Sequence, residues 1–193
     1  MKALNPFVFD LDNTLVETFP CIVYGLKMEH GIHTTGNEYI KTVGNMSEKE
    51  THSLLCDYVF KYAEHSKPVD YSVDVVGKSM KLFGSVDILT ARKRETNADT
   101  QDMLHQIYGD DIVFRIFNRD WDEKPLFCEE NNVLVFVDDH PHTVQMFDKS
   151  RIRIMMPRKP YNISVKMSGR NFYPYDSLEV VKSFMEIYEN EEG

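Results

Sequence analysis

The sequence predicts an α/β fold: a Rossmann-like parallel sheet flanked by helices, with a small helical insertion after the first strand. Mostly apolar runs at residues 7–9, 86–89 and 133–137 each end in carboxylates or a hydroxyl, which is typical of strands covered on both faces of a parallel sheet. Segments with helical periodicity separate these runs. Roughly sixty residues without a core strand follow the first run, which is too long for a simple crossover and indicates an insertion.

The first strand delivers two closely spaced acids. Phe7, Val8 and Phe9 are followed by Asp10 and Asp12. Ligands of such sheets bind outside the carboxyl ends of the strands, which is where both carboxylates would lie. Because two carboxylates this close repel each other unless a cation or a proton lies between them, this spacing favours a divalent metal. Alternatively, the segment is a polar turn that caps a helix.

The insertion contains three predicted helices. The first spans 20–28, and Gly31 is a plausible stop. Ser47 and Glu50 form a capping box. The helix behind this box has an apolar face, and a third helix is expected over 70–82. The apolar face comprises Leu54, Leu55, Tyr58, Val59 and Tyr62.

The remaining elements complete the predicted core. Further strands are expected at 112–117 and 151–156, and further helices at 94–108, 141–149 and 177–190. The sequence therefore predicts a core formed by residues 1–18 and 82–193 and a helical cap formed by residues 19–81.

Size and charge exclude several classes of protein. A chain of 193 residues can bury one good core and a small accessory lobe. The formal net charge of −9 argues against binding to long nucleic acids, which needs a basic surface. The sequence contains neither an apolar run long enough to span a bilayer nor an N-terminal signal-peptide pattern, so we expect a cytoplasmic protein with no membrane contact. Whether it forms a homodimer stays open.

Three later segments also place polar groups at strand ends or near them. Thr90, followed by Ala91, ends the second core strand just before a helix. Lys124 precedes the last strong strand, and Asp138 and Asp139 end that strand. Each signal alone has an ordinary explanation, since a strand-end threonine is often an N-cap and a lone lysine is often solvated. Two adjacent acids after five apolar residues are harder to explain as structure.

These four segments, in this order, resemble the motifs of the haloacid dehalogenase (HAD) superfamily of phosphohydrolases. The resemblance implies that Asp10 is a nucleophile that forms an aspartyl-phosphate. It implies that Asp12 is the general acid and base, with a backbone carbonyl that helps to hold Mg²⁺. Thr14 would orient Asp12 or its loop, or contact the substrate. The insertion corresponds to what this superfamily calls a C1 cap. A closed cap favours small phosphomonoesters over polymers.

The same resemblance implies roles for the later segments. Thr90 and the backbone N–H groups after it, beginning with Ala91, would hold phosphoryl oxygens. Lys124 would balance the carboxylates and the phosphate. The superfamily pattern favours Asp139 as the direct Mg²⁺ ligand, with Asp138 acting through water or by orienting Lys124, although these two roles are exchangeable at the level of sequence.

A finer resemblance concerns the substrate. Residues 137–141 and the tripeptide Pro160-Tyr161-Asn162 are similar to the C-terminal part of 5'(3')-deoxyribonucleotidases. An aromatic residue soon after the first motif, here Phe19, resembles the base-stacking residue of that family. Phe19 could equally pack the cap onto the core. Arg92 either contacts phosphate or sugar or is a solvated residue of a first helical turn.

The sequence therefore favours a Mg²⁺-dependent deoxyribonucleotidase acting on small phosphomonoesters, most simply nucleotides. The same residues also suit a phosphatase of sugar phosphates or, less well given the cap and the charge, a polynucleotide 3'-phosphatase. A non-catalytic binding module would be expected to lack the nucleophile, the acid or the lysine, and all three residue types are present.

Overall fold

The computed structural model describes residues 4–34, 43–148, 150–165 and 171–192. Within these residues, six strands form one sheet in which every neighbouring pair is parallel, in the order β5-β4-β1-β6-β7-β8. The first strand is central, and the crossovers of a parallel sheet leave helices on both faces. The sheet strands are β1 (Phe7–Phe9), β4 (Val86–Thr90), β5 (Phe114–Asn118), β6 (Val135–Val137), β7 (Arg153–Pro157) and β8 (Phe172–Tyr175). The predicted α/β fold is thereby confirmed.

Alternate side chains of the central strand point to opposite faces of the sheet, as strand geometry requires. Phe7 and Phe9 pack in one apolar cluster, whereas Val8 packs in another. The first cluster includes residues of the third, fourth and seventh helices, and the second includes Cys128 and Phe147. Both faces are therefore covered. The helices are α1 (Phe19–His30), α2 (Glu48–Lys61), α3 (Ser72–Phe83), α4 (Asn97–Tyr108), α5 (Lys124–Glu130), α6 (Pro141–Met146) and α7 (Glu179–Glu192).

Helices α1 and α2, which we call the cap helices, have a small apolar cluster of their own around Leu26, Val43 and Tyr58. Gly31 ends α1 in the left-handed conformation, with φ of 64°. The capping box at the start of α2 is present in both directions between Ser47 and Glu50. These local sequence signals were sufficient to locate the helices because each one satisfies backbone groups at a helix end.

The two ends of the insertion are tied together by a short antiparallel pair. It consists of β2 (Val16–Glu17) and β3 (Lys67–Pro68). Beyond it, Val75 and Val76 of α3 lie in the same apolar cluster as the central strand. Helix α3 therefore packs against the sheet, although the sequence analysis placed its residues in the cap. The exact core and cap boundaries at 18–19 and 81–82 stay a prediction.

Besides the short β2–β3 pair, helix α5 and strand β8 were not predicted from the sequence. Helix α5 is only seven residues long and begins at Lys124. Strand β8 lies at the edge of the sheet and contains Pro174, a residue that sheets tolerate at edges because the missing N–H has no partner to lose there. No helix in the described part of the chain is long and apolar enough to cross a membrane.

Candidate active site

Three neighbouring strands bring predicted site residues together at their carboxyl ends. Asp10 directly follows β1, Asp138 follows β6, and Thr90 is the last residue of β4. The backbone N–H of Asp10 donates to the carbonyl of Val137 at 2.7 Å, which extends the β1–β6 ladder by one step. The carboxyl ends of the strands therefore fix the main chain of the site.

Lys124 joins two of the carboxylates. Its Nζ donates to Asp10 Oδ1 at 2.7 Å and to Asp138 Oδ2 at 2.8 Å, and the residue is 1% exposed. Burial alone would lower the pKa of Lys124, but the charges of Asp10 and Asp138 outweigh burial and raise it. The lysine is thus a fixed positive charge in the site. Its place as the first residue of α5 explains how it reaches these acids from a segment that looked solvated in the sequence.

Asp10, Asp138 and Asp139 form a buried acidic cluster in which one oxygen of each lies within 4.8 Å of the others. Burial, followed by the charges of the neighbouring acids, raises the pKa of Asp10 well above its usual range even though Lys124 opposes this. Burial and the charge of Asp138 raise the pKa of Asp139 to about 7. A set of buried carboxylate oxygens with raised pKa values suits a hard divalent cation such as Mg²⁺.

The two adjacent acids have different partners. Asp138 accepts from Lys124 and, at 2.7 Å, from the backbone N–H of His140. Asp139 accepts from the hydroxyl of Tyr161 and, at 3.4 Å, from the hydroxyl of Thr14. Both oxygens of Asp138 therefore accept from N–H groups, whereas both oxygens of Asp139 accept from hydroxyl groups. The assignment of Asp139 as the direct Mg²⁺ ligand stays a prediction.

Asp139 is also held through its main chain. Asn162 Nδ2 donates to the carbonyl of Asp139 at 2.9 Å and to that of Pro157 at 2.8 Å. Asn162 is fully buried. The Pro160-Tyr161-Asn162 turn therefore supports the acidic cluster from the end of β7.

Asp12 is paired with Arg92 in a two-pronged ion pair. Arg92 Nε donates to Asp12 Oδ2 at 2.9 Å and Nη2 donates to Oδ1 at 2.6 Å. Burial alone would raise the pKa of Asp12, but the charge and hydrogen bonds of Arg92 lower it overall. Arg92 is 8% exposed, so the alternative of a solvated first-turn residue is wrong.

The loop between Asp10 and α1 is shaped by Asn13. This residue has φ of 57°, a left-handed conformation that asparagine tolerates better than most residues. Its Oδ1 accepts from the backbone N–H groups of Thr18, at 3.2 Å, and Phe19, at 3.3 Å, so it caps the start of α1. Thr14 is fully buried behind the cluster, and its contact with Asp139 points to orientation of that acid rather than to substrate contact.

A pocket of about 220 Å³ opens over these residues. Asp10, Asp12, Lys124 and Asp139 lie at its floor together with Thr90, Ala91 and Arg92. The hydroxyl of Thr90 accepts from the backbone N–H of Arg92 at 3.2 Å. Of the predicted site residues, Asp138 and Thr14 are the two outside the pocket lining.

The wall of the pocket formed by the cap helices is apolar. None of its described lining residues has a charged or amide side chain, and Cys56 supplies the sole polar side-chain hydrogen among them. Phe19 contacts the ring of Tyr161 edge-on at 5.5 Å between ring centres. This wall comprises Phe19, Ile22, Leu55, Cys56, Val59 and Phe60.

Sequence reasoning did not find several supporting residues. Phe60 and Thr100 both contact Arg92, and the rings of Trp121 and His140 stack at 4.4 Å beside the floor. Phe60 and Thr100 lie inside helical periodicity and give no separate signal. Trp121, as the single tryptophan close to Lys124, was a usable hint.

Comparison with solved structures agrees with the fold. A protein from Lactobacillus delbrueckii subsp. bulgaricus assigned as a phosphoglycolate phosphatase superposes with a TM-score of 0.63 at 12% identity, over 95% of this chain and 99% of that one. A HAD family hydrolase from Deinococcus radiodurans, solved with phosphate and sodium, gives 0.58 at 13% identity, over 93% and 94%.

CbbY from Rhodobacter sphaeroides, in complex with phosphate, gives a TM-score of 0.56 at 13% identity, over 89% of this chain and 93% of that one. A mutant of CbbY was solved with xylulose-(1,5)bisphosphate. No protein-family model matches the sequence, and no curated protein sequence matches it. The chain thus has the α/β fold of the HAD hydrolases, and at these identities the likeness shows the fold alone.

Proposed function

We propose that this chain is a Mg²⁺-dependent phosphomonoester hydrolase that works through a phosphoryl intermediate on Asp10, with (deoxy)nucleoside monophosphates as substrates. The observation that carries the chemistry is Lys124, buried between Asp10 and Asp138 with Asp139 beside them. Burying one ammonium and three carboxylates is costly, and such an expense is typical of a functional site.

Asp10, Asp139 and the backbone carbonyl of Asp12 would hold Mg²⁺, with Asp138 acting through Lys124 or a water. The raised pKa values of Asp10 and Asp139 support this donor set, because a divalent cation offsets the repulsion that raises them. When bound, the cation would supply charge neutralisation to the phosphoryl group and to the carboxylate that attacks it.

The residues of the chain divide the reaction between them. A carboxylate oxygen of Asp10 attacks phosphorus, and the bond from phosphorus to the leaving alcohol breaks as Asp12 donates its proton to that alcohol. Lys124, the Thr90 hydroxyl and the backbone N–H of Ala91 stabilise the equatorial oxygens. Water then attacks phosphorus, Asp12 takes the proton of the water, and phosphate leaves with Asp10 restored.

The ion pair with Arg92 suits one half of this cycle directly. A lowered pKa keeps Asp12 ionised, which is the state that activates water. The acid step requires Asp12 to hold a proton while substrate is bound. The negative charge of an incoming phosphate favours this, since a nearby like charge raises the pKa of a carboxyl.

The apolar wall of the cap helices supports a nucleotide as substrate. The base of a nucleotide has an apolar face that can stack on Phe19 or pack against Ile22 and Val59, with a gain of about 1–3 kcal/mol per stacked base. The hydroxyl or carboxylate groups of a sugar phosphate or phosphoglycolate would meet no charged or amide side chain on this wall, so they would depend on polar residues elsewhere in the pocket.

A sugar-phosphate phosphatase is the second candidate, and it is favoured by the printed descriptions of the similar structures, one of which holds xylulose-(1,5)bisphosphate. A polynucleotide 3'-phosphatase would need access for a polymer, which the cap helices oppose. A non-catalytic binding module would not require the lysine and the paired acids together.

The test is phosphate release in the presence of Mg²⁺. The panel comprises deoxy- and ribonucleoside 5'- and 3'-monophosphates, sugar phosphates, phosphoglycolate and a 3'-phosphorylated oligonucleotide. Asp10→Asn is the control, and it should abolish turnover while its melting temperature stays near that of the wild type. We expect selective release from deoxynucleotides.

Release from sugar phosphates or phosphoglycolate alone would keep the chemistry and replace the substrate. Full activity in Asp10→Asn would refute the covalent mechanism. If no substrate released phosphate at any Mg²⁺ concentration, the binding module would become the better interpretation.

A further inference from the structure

Both the side chain and the main chain of Arg92 form hydrogen bonds within the protein. Besides the two bonds to Asp12, its Nη1 donates to Thr100 Oγ1 on α4 at 3.2 Å. Its main chain is fixed as well, since its N–H donates to Thr90 and its carbonyl accepts from Asn118 Nδ2 at 2.9 Å. The guanidinium therefore presents one orientation to the site.

The opposite side of Arg92 faces the cap. The guanidinium carbon lies 4.9 Å from the centre of the Phe60 ring, within the distance of a cation–π contact. Phe60 belongs to α2, whereas Asp12 belongs to the loop after β1. A single buried cation thus touches a core acid on one side and a cap ring on the other.

Three of the five N–H groups of the guanidinium already have protein acceptors. Arg92 is also far more buried than Asp12, whose side chain is 32% exposed toward the pocket. In this arrangement Asp12 is the group that reaches the substrate, and Arg92 acts through it.

We propose that Arg92 is a positioning residue that fixes the carboxylate of Asp12, and that Phe60 fixes Arg92, so that the cap helix α2 takes part in the acid and base steps as well as in forming the pocket. This inference rests on the proposed function for its catalytic consequence. The contacts themselves can be tested without turnover.

The kinetic test compares Arg92→Lys, Phe60→Leu and the double variant. Lysine keeps the charge but loses the planar fork, so the carboxylate of Asp12 is no longer held at two points. We expect kcat to fall roughly 10- to 100-fold with little change in KM, because a misplaced catalytic group lowers the rate without weakening ground-state binding.

Phe60→Leu keeps an apolar side chain and removes the ring, and we expect kcat to fall about 3- to 10-fold, the range for loss of one cation–π contact. The double variant should lose little beyond Arg92→Lys, because both substitutions act on one unit. Arg119→Lys is the matched control: Arg119 is exposed, lies over the ring of Phe127 at 4.5 Å and is outside the pocket, so its kinetics should equal those of the wild type.

A rise in KM with unchanged kcat in Arg92→Lys would overturn the proposal, because it would make Arg92 a substrate ligand. If the two losses of kcat multiply fully in the double variant, the two residues act independently and Phe60 does not fix Arg92.

The second readout is the ¹H–¹⁵N signal of Arg92 Nε, assigned by its loss in Arg92→Lys. We expect slow hydrogen exchange in the wild type, loss of this protection in Asp12→Asn, and a changed shift in Phe60→Leu because the ring current is gone. A signal that neither variant changes would overturn the contacts. If the wild type hydrolysed none of the panel but the signal behaved as expected, the proposed function would fail while the positioning of Asp12 by Arg92 would stand.

Discussion

At the scale of single residues, the site is a balance of charges. The three clustered carboxylates and Lys124 together leave a formal charge of −2, whereas Asp12 and Arg92 neutralise each other. A charge of −2 in a buried cluster matches a divalent cation, and protonation is the alternative, as the raised pKa values of Asp10 and Asp139 indicate. Asp10 and Asp12, the proposed nucleophile and the proposed acid, therefore lie in different electrostatic surroundings, although only one residue separates them.

Asp12→Asn should trap the phosphoryl intermediate. The amide cannot take a proton from water, so hydrolysis of the acyl-phosphate on Asp10 should slow by roughly 100-fold or more, in the range for loss of a general base. After incubation with a good substrate and rapid quenching, intact mass spectrometry should show the added mass of one phosphoryl group. The double variant with Asp10→Asn is the control and should show none. An unmodified Asp12→Asn protein that still turns over at the wild-type rate would remove Asp12 from the mechanism.

At the scale of elements, the sequence predicted those whose signals are local. The strands β1, β4 and β6 were found because each is mostly apolar and ends in a polar residue or is directly followed by one, and α2 was found by its capping box. Helix α5 was missed because seven residues are too few for periodicity, although Pro125 in its first turn was a start signal. Strand β8 was missed because Pro174 argues against a strand except at an edge, and the sequence does not reveal which strand is at the edge.

The close packing of the two cap helices leads to a specific prediction at Gly25. A Cβ atom placed there would lie 2.5 Å from Cγ of the Tyr58 ring, which is buried and held by Glu29 at 3.2 Å. Gly25→Ala should therefore lower the free energy of unfolding by about 1–3 kcal/mol, as overpacking does. Gly77→Ala in α3 is the matched control, because nothing lies within 4 Å of its added Cβ and alanine favours a helix by about 0.5–1 kcal/mol.

Urea unfolding of both variants, followed by circular dichroism, measures this difference. A Gly25→Ala protein as stable as Gly77→Ala would mean that α1 and α2 pack less closely than the distances indicate.

A substitution at Phe19 can distinguish the two roles that the sequence left open for this residue. Phe19→Leu keeps an apolar side chain for packing at the start of α1 but removes the stacking ring. If the ring stacks on a base, KM for a nucleotide should rise about 5-fold or more, since base stacking contributes about 1–3 kcal/mol, while KM for a sugar phosphate turned over by the same protein should not change. If Phe19 instead packs the cap onto the core, the melting temperature should fall and both KM values should stay constant. Steady-state kinetics and thermal unfolding of one variant distinguish the two.

At the scale of the whole molecule, the site could be predicted because the carboxyl ends of parallel strands lie side by side. Acids that follow separate strands in the sequence therefore lie close together in the fold. The partners of those acids could not be predicted in the same way. Phe60 and Thr100 reach Arg92, the partner of Asp12, from two different helices, and their identities fit ordinary helix positions. Which of two neighbouring acids pairs with Lys124 likewise depended on where α5 places this lysine.

A polar cluster of a different kind lies at the amino end of β4, opposite the end that lines the candidate site. Asp87, near the start of β4, is fully buried and accepts from Arg115 Nε at 2.6 Å, from Arg115 Nη2 at 2.5 Å and from the backbone N–H of Asn5 at 2.7 Å. It ties β4 to β5 and to the segment before β1 at the amino end of β4, whereas Thr90 at the other end of this strand lines the candidate site. Its role should therefore be in stability alone.

Asp87→Ala tests this separation of stability from catalysis. Removing one member of a buried ion pair takes away the carboxylate that accepts from Arg115 and from the Asn5 N–H, and the free energy of unfolding should fall by about 3 kcal/mol or more. Asp176→Ala is the matched control, since Asp176 pairs with Arg158 at 3.2 Å on the surface with both side chains exposed, and such pairs contribute roughly 0–1 kcal/mol. Both variants should keep the kcat of the wild type at temperatures where they are folded. Equal stability of the two variants would show that the buried network adds little to the stability of the sheet. A selective loss of kcat in Asp87→Ala would show that the two ends of β4 are coupled.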